Sequence, residues 1–174
     1  FYKKHPKETL IVVTADHETG GIALGTGKYA LNLKALENQK ASAEVLSKKI
    51  SDLRKAKNNH VAWEDIKNLL SEEMGFWSVL PITWEQEKKL RDEYEKSFVR
   101  NKVEFAESMY AKTEPMAAKA KEVMDQIAMV GWTSGGHSAG YVPVFAIGAG
   151  SDLFIGKMDN TEIPKRIAKA GGYK

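Results

Sequence analysis

The chain has 174 residues, of which 43% are hydrophobic, enough to bury one real core. Its 26 basic and 23 acidic residues leave a net charge of +3, and the two signs are interspersed, which argues against a dedicated nucleic-acid surface. Cysteine is absent, so disulfides and thiolate metal sites are excluded and any bound metal must be held by His, Asp or Glu.

The first eight residues are a basic lead-in, with Pro6 marking a break before the first strand. His5 beside Lys3 and Lys4 reads as part of a solvated end rather than as a ligand. Residues 9–21 read TLIVVTADHETGG. Leu10, Ile11, Val12 and Val13 form an unbroken apolar run, the pattern of a strand buried on both faces of a parallel sheet. Asp16, His17 and Glu18 follow at once, just past the carboxyl end of that strand, where open α/β sheets place their ligands. Gly20 and Gly21 then allow a sharp turn before a short return strand at residues 22–24.

From about residue 32 to 128 the composition shifts to Lys, Glu, Ala and Leu with few glycines, which predicts helices. Leu33, Leu36, Ala43, Leu46, Ile50 and Leu53 place one amphipathic helix over roughly 33–57. A second spans about 62–74, with Trp63, Ile66, Leu69 and Leu70 inward and Gly75 as its C-cap. His60 between them reads as a loop residue. Thr83 and Gln86 form a capping box that opens a third helix, with Leu90, Tyr94, Phe98, Phe105 and Met109 along its apolar face. A fourth begins at Thr113-Glu114-Pro115, with Met116, Ala120, Val123, Met124 and Ile127 buried. Aromatic residues at this spacing belong to a core rather than to a substrate platform.

Residues 131–150, GWTSGGHSAGYVPVFAIGAG, put His137 in a glycine-rich loop immediately before a second apolar run at 142–147. Ser134 and Ser138 lie in that loop; residues 136–140, GHSAG, spell Gly-x-Ser-x-Gly, but a nucleophile elbow is rejected because the strand run follows Ser138 instead of leading into it. Trp132 and Tyr141 flank it and read either as pocket lining or as packing against the sheet edge. A final helix runs from Thr161 and Glu162 to about Ala170, with Ile163 and Ile167 on one face. Asp152 and Asp159 are turn and helix-start residues by pattern.

TADHETGG followed in this order by SGGHSAGYVPVFAIGAG resembles the alkaline phosphatase family, specifically the bacterial zinc phosphomonoesterases. The resemblance covers about residues 1–30 and 131–174. It implies that Asp16 and His17 bind one zinc of a two-zinc site and that His137 binds the other. It further implies attack by a serine, a phosphoserine intermediate, magnesium as an additional ion, and a periplasmic or secreted location. Glu18 is left open between orienting a histidine and being an exposed turn carboxylate.

The departures matter equally. The family's nucleophilic serine follows an aspartate, and this sequence has no Asp-Ser dipeptide. The other zinc's remaining ligands come from an Asp-x-x-x-His motif, which is also missing. Phe1 opens the chain without an initiator methionine, and the first core strand begins within its first ten residues. The expectation is therefore the C-terminal α/β part of a longer enzyme, its nucleophile absent from this chain and the chain alone inactive.

The fold expected is α/β, a mainly parallel sheet with a large helical insertion: residues 1–31 and 131–174 as core, 32–130 as insertion. Such an insertion suits a lid, a homodimer contact or a partner site. The substrates implied are phosphate monoesters, with no nucleic acid and no membrane span. Two other readings stand beside this one: a related metal-dependent phosphodiesterase or sulfatase, and a non-catalytic piece whose helical block binds a partner.

Overall fold

The computed structural model describes residues 1–27, 29–107 and 112–173, which form two compact units. One joins Phe1–Gly21 to His137–Lys174; the other is Ile22–Gly136.

In the first unit, strand β1 (Leu10–Val13) stands where the apolar run predicts it. The second apolar run becomes a strand three residues late, since the strand covers Phe145–Gly148 rather than beginning at Val142. This strand, numbered β6 in chain order, pairs with β1 antiparallel, Leu10 opposite Gly148 and Val13 opposite Phe145. The α/β class is as expected, but the strands paired among the described residues are antiparallel, not parallel.

The reason is local. Chain leaving β1 enters the His17 loop, and chain approaching β6 comes from the His137 loop. The two strands meet at one end, where the Thr14 hydroxyl donates to the Pro143 carbonyl at 3.1 Å. A strand left at that end and another entered there must run in opposite directions. The double-sided burial expected of β1 is also corrected, because Leu10 and Val12 are half-buried while Ile11 and Val13 are exposed. An apolar run fixes a strand but does not say how many faces are covered.

Gly148 is needed where β6 ends. At φ 102°, a Cβ there would stand 2.0 Å from the Thr9 carbonyl oxygen. A 3₁₀ turn (Ser151–Phe154) follows, and among the described residues Phe154 is the buried apolar residue of this unit. The last helix, numbered α5, is Glu162–Ala170. Asp159 starts it as the pattern predicts, its carboxylate accepting from the Thr161 amide at 2.9 Å and hydroxyl at 2.7 Å.

The second unit is mostly helical. Strand β2 (Ile22–Leu24) pairs antiparallel with β5 (Val130–Trp132), a strand sequence reading missed because three residues centred on Gly131 carry almost no pattern. The helix expected over 33–57 is broken into a 3₁₀ segment (Leu33–Asn38) and α1 (Ala43–Ala56). Gln39 is extended, the Lys40 amide bonds to the Glu73 carbonyl, and Ser42 caps α1 by accepting from the Val45 amide. A serine cap inside a continuous apolar period is the signal that separates the two pieces.

Helix α2 (Trp63–Met74) ends on Gly75 at φ 72°, the left-handed C-cap predicted. Helix α3 (Trp84–Tyr94) opens with the expected capping box, Thr83 Oγ1 accepting from the Gln86 amide and Gln86 Oε1 from the Thr83 amide. It passes into a π-helical turn (Glu95–Val99) and stops. The apolar face therefore stops short of Phe105, which is exposed, and Met109 lies outside the described residues. Strands β3 (Ala106–Glu107) and β4 (Lys112–Thr113) pair antiparallel.

Helix α4 (Pro115–Ala128) is central, with α1 and α3 packed on it. Met116, Ala117, Ala120, Val123, Met124 and Ala128 are all buried, and the small alanines let neighbouring helices approach closely. Its N-terminus is held by Glu114, buried and accepting from the Met116 and Ala117 amides while pairing with Arg54 at 2.9 Å. A buried carboxylate needs this full set of partners. Trp63, Tyr94 and Phe98 pack together as core, as their spacing predicts. Among the described residues no helix is long and apolar enough to cross a membrane.

Candidate metal centre

The site is made by two loops of the first unit, one leaving β1 and one approaching β6. Asp16 follows the strand closely and is exposed, and its Oδ1 accepts from the His17 amide at 3.1 Å. His17 Nδ1 lies 2.7 Å from the Glu18 carbonyl oxygen. A carbonyl only accepts, so Nδ1 donates its proton in this contact. Nε2 faces Asp16, 3.5 Å from Oδ2.

This separation is informative. Two ligand atoms of a tetrahedral zinc with bonds of about 2.0–2.2 Å stand about 3.4 Å apart. Asp16 and His17 thus present a carboxylate oxygen and an imidazole nitrogen at the spacing of two zinc corners, and the donor types suit zinc. His137 comes to the same place from the other loop. Its ring stacks on that of His17, centroids 3.5 Å apart and planes 24° apart. The three residues singled out from the sequence are therefore gathered at one end of the β1–β6 pair. Among the described residues, however, no three His, Asp or Glu side chains form one ligand set.

Glu18 is what sequence reading left undecided. Its carboxylate ties the two loops together. Oε1 accepts from the Gly20 amide at 2.6 Å and from the Gly21 amide. Oε2 accepts from the Ser138 amide at 2.9 Å and from the Ser138 hydroxyl. These donors, the Ser138 hydroxyl foremost, outweigh desolvation and lower the Glu18 pKa to about 2. Glu18 is thus fully ionised at neutral pH. No local signal gives this contact away, because its partners are 120 residues apart.

A cleft of about 290 Å³ opens beside these loops, lined by Asp16, His17, Glu18, Ser138, Tyr141 and Asn160. Tyr141 is exposed, with the Lys157 ammonium 4.3 Å above its ring centre. Ser134 and Ser138 have structural partners, the Gly136 carbonyl and Glu18. Trp132 lies in the other unit, under Lys121. His5 stacks on Phe1 and pairs with Glu8, away from these loops in sequence and in partners. A larger cleft of about 460 Å³ between α1 and α2, lined by Lys49, Asp52, Asp65 and Glu72 among others, contains no histidine.

Comparison with known proteins converges on one family. The alkaline phosphatase family model matches residues 1–173. Alkaline phosphatase 3 of Bacillus subtilis (strain 168) is 31% identical over 183 residues, covering 99% of this chain and 32% of that protein. Alkaline phosphatase 4 of the same organism is 26% identical, covering 97% of this chain and 31% of its own length. The chain thus spans about a third of the length of the curated relatives it matches. A cold-active alkaline phosphatase from the psychrophile Shewanella sp. superposes with a TM-score of 0.61 at 25% identity, over 98% of this chain and 35% of that one. The Thermus thermophilus alkaline phosphatase, at 22% identity, shares the fold with a TM-score of 0.60, over 100% and 36% of the two chains. With the match running through both histidine loops and the helices between them, the chain belongs to the alkaline phosphatase family.

Proposed function

We propose that this chain contributes part of the two-zinc centre of a phosphomonoesterase, Asp16 and His17 to one zinc and His137 to the other. The observation that carries this reading is the 3.5 Å separation of Asp16 Oδ2 and His17 Nε2, with the His17 Nδ1 proton committed to a carbonyl. With Nδ1 donating to that carbonyl, Nε2 is the ring nitrogen left to meet a metal. Bound zinc would supply Lewis-acid stabilisation of charge on the oxygens of the transferring phosphoryl group.

The rest is done by the chain's own groups. The Glu18 carbonyl orients His17, and the loop bonds at Glu18 keep the His137 ring beside it. A catalytic zinc takes about three protein ligands and one open position. Asp16 and His17 supply two, and His137 one of another set, so the further ligands, the nucleophilic serine and magnesium belong to a protein in which this chain is continued. Hydrolysis then runs through a phosphoserine on that serine. Residues 32–130 form an insertion in this reading, a view supported by the closeness of its ends: the Asn32 amide donates to the Ala128 carbonyl at 3.1 Å.

The chain by itself is expected to bind zinc weakly and not to turn over phosphate monoesters. In the continued protein, His17→Ala should lower kcat/KM for a chromogenic phosphomonoester by about a thousandfold, the scale of several kcal/mol of charge stabilisation. His137→Ala should do the same, with the far-ultraviolet circular dichroism unchanged. Activity within tenfold of the unsubstituted protein in either variant would refute the assignment.

A further inference from the structure

We propose that Glu18 is a positioning residue, a carboxylate lock that holds the His137 loop against His17 and so sets the separation of the two imidazoles. The inference rests on the metal-centre reading for its purpose and on loop geometry alone for its existence. Four donors converge on one side chain. Two are the Gly20 and Gly21 amides of its own loop, and two are the amide and hydroxyl of Ser138, the residue next to His137.

The chemistry of the lock is specific. Every partner of Glu18 donates, and a carboxylate is acceptor-only on both oxygens. Glutamine has nearly the same shape but offers one acceptor oxygen and turns an NH₂ group towards a donor. The Ser138 hydroxyl can rotate to accept from that group, whereas the Ser138 amide cannot. Charge-assisted bonds of this kind are also about twice as strong as neutral ones.

The surrounding loop is fitted to the lock as well. Ser138 Oγ accepts in turn from the Gly140 amide at 3.3 Å, and a Cβ at Gly140 would meet Glu18 Cγ at 3.1 Å and Ser138 Oγ at 3.3 Å. The residues ETGG in one loop and HSAG in the other thus form a single unit, although 120 residues separate Glu18 from Ser138. The His17 ring is oriented by the backbone carbonyl of the same residue whose side chain holds the partner loop.

The test uses the full chain in two measurements. Without metal, amide hydrogen exchange at Ser138 should accelerate about tenfold or more in Glu18→Gln, while amides of the final helix, Glu162–Ala170, keep their protection. Ser138→Ala, which retains the amide donor, should give a smaller change, and Gly140→Ala an intermediate one. Unchanged exchange at Ser138 in Glu18→Gln overturns the lock, whatever the metal does.

Zinc titration then asks what the lock is for. Glu18→Gln should raise the zinc dissociation constant by about 10–100-fold. The double variant Glu18→Gln/His137→Ala should bind within about twofold of His137→Ala alone, since a residue acting through His137 has nothing left to position. A further full loss in the double variant contradicts positioning and marks Glu18 as merely structural. Zinc binding indifferent to both His17→Ala and His137→Ala would remove the metal-centre reading, while the exchange measurement would still decide whether the lock exists.

Discussion

The two units of this chain are ordered by different physics. The helical unit, Ile22–Gly136, carries a continuous buried cluster running through all its α-helices, with Ile50, Ile66, Leu90 and Val123 removed from solvent. The α/β unit carries both histidine loops yet has Phe154 as its buried apolar residue among those described. One face of its β1–β6 pair is open, with Val13 57% and Phe145 64% exposed and directly opposite each other. Its functional loops are held instead by polar contacts, above all those of Glu18. Apolar burial makes one unit stable, and directional hydrogen bonds make the other specific.

The largest expected effect belongs to the helical core. Leu70 is fully buried, and Leu70→Ala should cost the helical unit about 2–5 kcal/mol. Chemical denaturation followed by circular dichroism reads this directly. In the same assay Glu18→Gln should move the helical transition by no more than about 0.5 kcal/mol. Equal effects from the two substitutions would break the distinction between the units.

A smaller effect follows from charge in the helical unit. Lys57 first, then the Ala62 amide, holds the Asp65 carboxyl below its ordinary value of 3.8. Arg91 first, with the Trp77 indole also donating, holds Glu87 below 4.5. A carboxylate whose folded pKa is lowered contributes stability that is present above its ordinary value and lost as pH falls through the folded one. Thermal melts should therefore be flat from neutral pH down to about 5 and decline below pH 4.5 as these groups protonate. A melting temperature that holds or rises between pH 4.5 and 3 would contradict this.

The smallest effect on the site is expected from the most drastic change. The Asn32 amide and the Ala128 carbonyl are hydrogen-bonded, and the Gly25 amide bonds to the Met129 carbonyl, so a short linker can replace residues 32–128 without stretching β2 from β5. In the continued protein, zinc affinity should stay within about threefold after this replacement, because the ligands proposed lie outside the excised segment. Loss of zinc binding together with folding would make the helices part of the core that supports the site.

Much of this was legible in the sequence wherever the signal was local. Thr83 with Gln86, Gly75 after Met74 and Asp159 before Thr161 each fix an element end through atoms within four residues, and each is observed. Strand direction is not local, and the β1–β6 pair runs antiparallel where parallel neighbours are expected. His17 follows its strand whereas His137 precedes its own, and two such residues meet at one end of a strand pair when the strands are antiparallel. The order of motif and strand contained that answer; the parallel reading came from the apolar run alone. The break before Ser42 was hidden by an apolar period that continues through it. The Glu18 lock had no sequence signal, since Ser138 is an ordinary loop serine until the fold brings it to the carboxylate.

The central claim is that Asp16 and His17 are two corners of a zinc site. Crystals of the chain soaked in zinc and measured on both sides of the zinc absorption edge test it most directly. The account predicts an anomalous peak about 2.0–2.2 Å from both Asp16 Oδ2 and His17 Nε2. Zinc bound instead at His5 or His60, with none between Asp16 and His17, would contradict it.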